Sequence, residues 1–597
     1  MMEQLTTLKI KRFLRFAWHA VPEMLEFQLL TKGLLAAALF ALRKLAGVLM
    51  RGGGYALITS SDLLRILRTW QGWALLLVFL FILFLYTAAE ILAQIINSDN
   101  IMAGRRMRIP AVYVRGFAGL RAFVSVGGIP LIIFITFAVP LTGIGYTISL
   151  TSDFHLPNFI TSVIYSSPLM ILYAVGIGAA VLFSISNSFT FPGVILDNMT
   201  VRGAKRQSKN LLRAHFMQFV ICVIPLFGIH FVLSPAVDFL FDFLTYRVLP
   251  GTGLTGRTLR LAVFFVGTAV DIFEIILNML LTAVLILLVT VLYRLYTQNH
   301  ITMMEEKQEP IRVGTRLPVA VMLALCAAGA LFMEFFISDI QSSHETAVIA
   351  HRAGGILAAE NSLEGLEKAI SHGAYGSEID VQRTSDGHYV INHDSTFSRL
   401  CGVSKKASEM TLEEIRQLTI TDSSGGETMT AKIPTLEEML DTCGDRCVLF
   451  IELKGETADY RMADDVAAMI TERGLASSCV IISLKRGLVS YTEKSYPELN
   501  TGLLYYLGYG DVAEINADLL IMEEDRATRE AIQQTHRCGK TAVVWTVNTK
   551  SSMERFFQSG ADAVITDYVD MSLQVRDELD GRSDAEKIAS KMKNFFT

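Results

Sequence analysis

The sequence predicts an all-α, multi-span membrane domain over residues 1–340, followed by an α/β domain over residues 341–597 folded as a TIM (β/α)8 barrel. Three observations carry that reading. Of 597 residues, 51% are hydrophobic and the mean hydropathy is +0.41, high values for a soluble chain. Long apolar runs stop near residue 340, and beyond it short β-branched runs alternate with stretches of helical periodicity. Charge divides at the same place. Residues 1–340 hold 27 Lys and Arg against 17 Asp and Glu, a balance of +10; the remainder hold 26 against 41, or −15, which together restore the −5 of the chain. An apolar, basic half suits an anionic lipid bilayer, whereas an acidic half argues against nucleic acid as a partner and suits divalent cations.

Apolar runs long enough to cross a hydrocarbon core of roughly 30 Å occur near Trp73–Leu92, Ala122–Leu141, Leu169–Ile185, Phe216–Leu233, Ile275–Tyr293 and Pro318–Ile337. A seventh, around Leu29–Met50, is interrupted by Lys32, Arg43 and Lys44 and reads as a tilted span or an interfacial amphipathic helix. Met1–Met24 carries Lys9, Lys11, Arg12 and Arg15 but no apolar core ending at a cleavage site, so the first membrane segment is expected to stay attached. Because Lys and Arg are retained on the cytoplasmic side, three segments are expected inside: Arg105–Arg121, Arg202–Arg213 and Arg294–Arg316. Thr142–Pro168 has no Lys or Arg and is expected outside. Alternation then sends the last span outward and puts the C-terminal domain of this multi-pass protein on the extracytoplasmic face of the cell membrane. Arg51, Arg65 and Arg68 run against the scheme, since they precede the Trp73 span where an outside segment is required. Glu90, Asp271, Glu274 and Glu334 lie in the apolar half; they read as the lining of a polar cavity or as span-end groups reached by water.

After residue 346 the β-branched runs are Ala347–Ala350, Ser377–Val381, Val448–Leu453, Val480–Ser483, Thr501–Leu504, Leu519–Met522, Thr541–Thr546 and Ala563–Thr566. Eight runs in about 250 residues, with helical segments such as Leu363–Ser371 and Thr411–Leu418 between them, fit a (β/α)8 barrel. Chemistry in such barrels sits at the carboxyl ends of the strands. His351 and Arg352 end the first run. Glu378 and Asp380 lie two apart in the second, which points both carboxylates to one face. Glu452 and Lys454 repeat that spacing at the end of the third. Ser385-Asp386-Gly387 is a tight turn, after which His388–Asn392 returns and delivers His393 beside Asp394. Seven cysteines include no CxxC pair; Cys443 and Cys447 read as independent thiols, or as a disulfide if their domain faces an oxidising compartment.

His351-Arg352, Glu360-Asn361-Ser362, Glu378-Ile379-Asp380-Val381, Thr384–Gly387, His393-Asp394, Pro434–Glu438, Glu452-Leu453-Lys454, Trp545–Asn548 and Gly560–Asp567 together resemble the glycerophosphodiester phosphodiesterase family, across essentially all of residues 347–570. The N-terminal half resembles the multi-span region of a bacterial branch of that family. Departures are Ala353, where the family usually has Gly, Ser362, where it usually has Thr, and Ser377, where an acid is common.

The resemblance implies a metal-dependent hydrolase that cleaves glycerophosphodiesters to an alcohol and glycerol 3-phosphate, in lipid or envelope glycerophosphate metabolism. Glu378, Asp380 and Glu452 would bind Mg2+ or Ca2+, hard cations that take oxygen ligands. His351 and His393 would be the acid/base pair, in an order that the sequence leaves open. Arg352 and Lys454 would contact the phosphate, Trp545 would bound the glycerol pocket, and Glu360 would touch the metal site or orient His351. Structural alternatives are solvated strand-end acids, ion-paired cations and a packing Trp. Two other functions compete: a phospholipase of C or D type acting on intact lipids, and a non-catalytic membrane sensor or transporter subunit that binds a headgroup. Protein partners and oligomeric state are not specified by the sequence.

Overall fold

The computed structural model describes residues 57–59, 69–105, 107–134, 169–297, 324–332, 346–506, 508–510, 512–583 and 586–588, with short stretches between 17 and 48. It forms two compact units, one of Met1–Val48 with Trp73–Glu334 and one of Leu49–Gly72 with Phe335–Thr597.

The first unit is helical. Three helices among the described residues are long and apolar enough to cross a bilayer, Met170–Leu196, Val201–Phe243 and Gly256–Thr297, and Gly72–Ile82 is a shorter apolar helix. Ile171, Leu172, Val175 and Leu182 stand exposed on the first of them, as side chains facing lipid would. The helical stretch Val201–Phe243 is two helices that meet at a kink at His215, where φ is −128° and ψ 23°. The expected span thus opens after the kink at Phe216, and Arg202–Arg213 lie in the helix before it, capped by Thr200, whose hydroxyl accepts from the Gly203 N–H, rather than in a loop. The run at Ala122–Leu141 does not open as a helix of that extent. Leu120–Phe123 is a 3-10 turn, helix resumes only at Ile129, and residues beyond 134 lie outside the described part. Thr142–Pro168, Arg51, Arg65, Arg68 and most of Pro318–Ile337 also lie outside it, apart from a helical stretch over 324–332. Several polar groups inside this unit are paired: Arg294 joins Asp99 at 2.8 Å and Asp197 at 3.0 Å, and the Gln28 amide donates to Gln94 at 2.8 Å.

In the second unit eight parallel strands close on themselves. They are β2 (Ala347–Ala350), β3 (Gly376–Arg383), β7 (Val448–Leu453), β8 (Cys479–Ser483), β9 (Asn500–Tyr505), β11 (Leu519–Glu523), β12 (Thr541–Trp545) and β13 (Ala563–Thr566), with β13 pairing β2 and β2 pairing β3 to complete the ring. Every predicted run is a strand within two residues at either end. Strand β4 (Tyr389–Ile391) returns antiparallel along the far end of β3, as the Ser385–Gly387 turn requires. Two-stranded ribbons complete the unit: β5 (Ile420–Asp422) with β6 (Met429–Ala431), and β1 (Leu57–Thr59) with β10 (Gly508–Gly510).

Alternation along each strand divides the apolar residues. Ile349, Phe450, Val480, Ile482, Leu504, Ile521, Val543 and Ile565 fill the barrel. Val348, Leu520, Met522 and Val564 face the outer helices on one side, and Ile379, Leu449 and Ile451 do so on another. Continuing the inward parity past the last apolar layer brings polar residues to the mouth. The outer helices start where Ser362, Thr411, Thr435, Asp459, Thr528 and Thr549 accept a backbone N–H of the first turn. Cys443 and Cys447 are free thiols with sulfurs 3.4 Å apart.

The first βα connection is tightly constrained. Gly355 has φ +56°, and a Cβ there would lie 2.2 Å from the Asp567 carbonyl oxygen. Replacing Gly355 by Ala is therefore expected to destabilise the barrel by at least about 1 kcal/mol from the left-handed backbone alone, read as a lowered midpoint of its thermal transition. An unchanged midpoint contradicts the close approach.

Candidate active site

Each element at the mouth delivers its side chain by strand parity. Glu378 and Asp380 project inward from β3, in register with Phe450 and Glu452 of β7. All three acids are buried, and one carboxylate oxygen from each lies within 4.8 Å of the others. Lys454, two residues beyond Glu452, reaches back with Nζ 2.7 Å from Asp380 Oδ1 and 3.1 Å from Glu452 Oε2. Asn361 donates to Asp380 Oδ2 at 2.8 Å, and the Arg352 backbone N–H donates to Glu378 Oε2 at 2.9 Å.

Three carboxylates share one ammonium, and their protonation reflects it. Burial, then the charge of Asp380, pushes Glu378 up to about 8. Burial also raises Glu452 against the pull of Lys454. Burial acts the same way on Asp380, but Lys454, His393 and Arg352 outweigh it and hold that carboxyl well below its usual range. The donor set fits a hard divalent cation: three carboxylate oxygens converge, and a cation among them would favour the ionised form that burial disfavours at Glu378 and Glu452.

The histidines stand beside this cluster. His351 Nε2 is 4.0 Å from Glu378 Oε2, and its Nδ1 is held 2.7 Å from Asp567 Oδ1. Asp567 continues the inward parity of Ala563 and Ile565, and its other oxygen accepts from Asn548 at 2.6 Å. His393 Nδ1 sits 2.9 Å from Asp394 Oδ1, but Asp394 is also engaged by Arg399, whose Nε is 2.8 Å from Oδ2. The two imidazoles thus have unlike partners. Burial disfavours the charged form of both; at His351 the Asp567 carboxylate overcomes it and raises the pKa, while at His393 burial prevails and lowers it.

Arg352 and Ala353 both adopt positive φ, +48° and +73°, so the family's usual Gly at position 353 is replaced by a residue whose Cβ occupies the left-handed region. That turn sets Arg352 Nη1 3.0 Å from Glu360 Oε2 and leaves Nε buried with no hydrogen-bond partner among the described residues. Glu360 also takes Arg399 through both oxygens, at 2.9 and 2.6 Å. Its contacts are with arginines; the residue that orients His351 is Asp567. Trp545 lies at the end of β12 against the barrel filling, two strands from His351. Nine residues singled out by the sequence meet at or border this mouth, and Asp567, Asn361 and Arg399 join them without a role that the sequence assigns. Strand parity could have found Asp567; Arg399 carries no local signal, because it comes from a helical turn, Ser398–Cys401, inserted after β4.

Residues 351–571 match the model of the glycerophosphoryl diester phosphodiesterase family, and residues 10–328 match that of the membrane domain of glycerophosphoryl diester phosphodiesterase. The chain belongs to the glycerophosphodiester phosphodiesterase family. A glycerophosphodiester phosphodiesterase of Caldanaerobacter subterraneus subsp. tengcongensis is 31% identical over 229 residues, 37% of this chain and 94% of that protein. A putative glycerophosphodiester phosphodiesterase of Bacillus subtilis is 26% identical over 234 residues, 38% of this chain and 96% of that one. Among solved structures, a phosphodiesterase of Oleispira antarctica in complex with the product sn-glycerol-3-phosphate aligns with 24% identity and TM-score 0.36, covering 39% of this chain and 96% of that chain. Within this family the present chain joins a barrel to a helical membrane domain, and matches to the barrel alone account for less than half of its length.

The unlike partners of the imidazoles are testable without turnover. With divalent ions chelated, diethyl pyrocarbonate, which acylates neutral imidazole, is expected to modify His393 at lower pH than His351, as followed by peptide mass spectrometry. Asp567→Asn should move the His351 midpoint down while leaving that of His393 in place. Coincident midpoints in the parent protein contradict the arrangement.

Proposed function

We propose that the barrel is a divalent-metal-dependent hydrolase releasing glycerol 3-phosphate and an alcohol from glycerophosphodiesters. The observation that carries this is the convergence of Glu378, Asp380 and Glu452, short of positive charge, beside two differently partnered histidines. The three acids would hold Mg2+ or Ca2+, which when bound neutralises charge on the phosphoryl oxygens.

The chain's own residues supply the rest. Arg352, with its unpartnered Nε, and Lys454, with a third N–H beyond its two carboxylate bonds, engage the phosphate. Asp567 directs its charge to His351, favouring the imidazolium and suiting it to protonate the departing alkoxide. Asp394 shares its charge with Arg399, which leaves His393 the better proton acceptor for the attacking group, either water or the neighbouring glycerol hydroxyl, the latter giving a cyclic phosphate that water then opens to glycerol 3-phosphate. Glu360 positions Arg352, and Trp545 borders the organic part of the substrate.

Purified full-length protein in detergent should release glycerol 3-phosphate from glycerophosphocholine, lose turnover in EDTA, and regain it with Mg2+ or Ca2+. Glu378→Ala and His393→Ala should each lower kcat/KM by roughly 100-fold or more. Consumption of intact phospholipid alone, or binding without product, contradicts the proposal.

We further propose that residues 1–340 form a multi-pass membrane domain and 341–597 the hydrolase, with the hydrolase on the extracytoplasmic face. Antiparallel pairing of β1 with β10 supports one part of this, because it ties the segment before the Trp73 span to the barrel and so to the same side of the membrane. The absence of Lys and Arg from Thr142–Pro168 supports the sidedness, against the charge of Arg51, Arg65 and Arg68. Protease added to intact cells should cut within 341–597; protection of that region until lysis contradicts the assignment.

A further inference from the structure

At the rim of the barrel one buried carboxylate is absent from the chemistry above. Leu519 and Ile521 of β11 point into the barrel and Leu520 and Met522 point out, so Glu523, the last residue of the strand, points in. Strand order places β11 four strands from β3 in both directions round the ring, by β7, β8 and β9 on one side and by β2, β13 and β12 on the other. Glu523 therefore faces the Glu378–Asp380 side across the mouth.

Glu523 is 2% exposed. Its Oε2 accepts the Asp525 backbone N–H at 3.0 Å, whereas Oε1 is buried and has no hydrogen-bond partner among the described residues. A buried acceptor in that state is satisfied by a donor that arrives from outside the protein. Its neighbour in register on β12 is Trp545. An indole face beside a carboxylate acceptor offers an apolar wall for C–H groups and a hydrogen-bonding edge for hydroxyls.

We propose that Glu523, with Trp545, recognises hydroxyls on the part of the diester that extends away from the acidic cluster, so that the site selects a polyol over a cationic alcohol. This deepens the hydrolase reading and rests on it. Its distance from the phosphate-side groups, set by the opposite placement of the strands, makes Glu523 a specificity-determining residue and not a proton carrier in the cleavage. The rival occupant is a cation such as choline, which a tryptophan and a carboxylate also suit. Two observations favour hydroxyls. The open Oε1 calls for a hydrogen-bond donor, which a hydroxyl has and a quaternary ammonium lacks. Burial, helped by Asp525, pushes its carboxyl up to about 7, so near neutral pH it is a weak attractor of cations but can hydrogen-bond a hydroxyl in either protonation state.

The test compares kcat/KM of the full chain in detergent on glycerophosphoglycerol and glycerophosphocholine, for the parent protein, Glu523→Met, which keeps the volume and removes the acceptor, and Glu523→Gln, which keeps an acceptor. The parent should prefer glycerophosphoglycerol. Glu523→Met should lower kcat/KM on that substrate about tenfold or more, chiefly through KM, with glycerophosphocholine changed by less than about threefold, and Glu523→Gln should stay close to the parent on both. An equal fall on both substrates, a selective fall on glycerophosphocholine, or no change on either overturns the proposal while leaving the hydrolase reading intact. If the parent cleaves neither diester, the hydrolase reading fails, and the role of Glu523 falls with it.

Discussion

The mouth of the barrel is organised around an excess of buried negative charge. Glu378, Asp380 and Glu452 are driven together by strand register, and a single ammonium, Lys454, is placed among them. Burying ionised carboxylates is costly unless they are paired, so the neighbouring contacts follow from this cluster. The Arg352 backbone N–H and the Asn361 amide donate into it, and Glu378 is raised first by burial and then by the charge of Asp380. Under the proposed function a phosphodiester drawn there by Arg352 would bring more negative charge still, and a divalent cation held by the three acids would meet both demands at once.

Around that cluster the cations and acids are ordered in chains, and the chains give the two imidazoles different characters. Asp567 is fixed by Asn548 and serves His351. Asp394 and Glu360 are joined through Arg399, and Glu360 passes the connection to Arg352. Arg352 and His393 thus hang from one network, which under the proposed roles would couple where the phosphate sits to where the proton is taken.

Much of this was legible in the sequence, for a physical reason. A barrel strand shows its inward face every second residue, so short runs ending in His351, Glu378/Asp380 and Glu452/Lys454 announce both the strand and its polar tip. The same rule applied to Ala563–Thr566 and Leu519–Met522 leads to Asp567 and Glu523, but each acid stands one residue past the end of its β-branched run. Arg399 was illegible, since its place depends on a long excursion between β4 and β7 whose packing no local pattern encodes. In the helical half, hydropathy located apolar windows but not helix ends. Gly256–Thr297 runs well past its hydrocarbon-length window, and the basic turns of Arg202–Arg213 form a helix of their own before the kink at His215, which an apolar window does not register. Pairing of β1 with β10 was equally hidden, as three residues of strand in a loop carry no periodic signal.

The most direct test of the central claim is cation binding by the full-length protein, measured by calorimetry in buffers of different ionisation heat near pH 7. One Mg2+ or Ca2+ should bind per chain, with protons released as Glu378 becomes a ligand, and Glu452→Gln should abolish or greatly weaken it. Absence of binding, or binding that survives Glu452→Gln undiminished, would contradict the account.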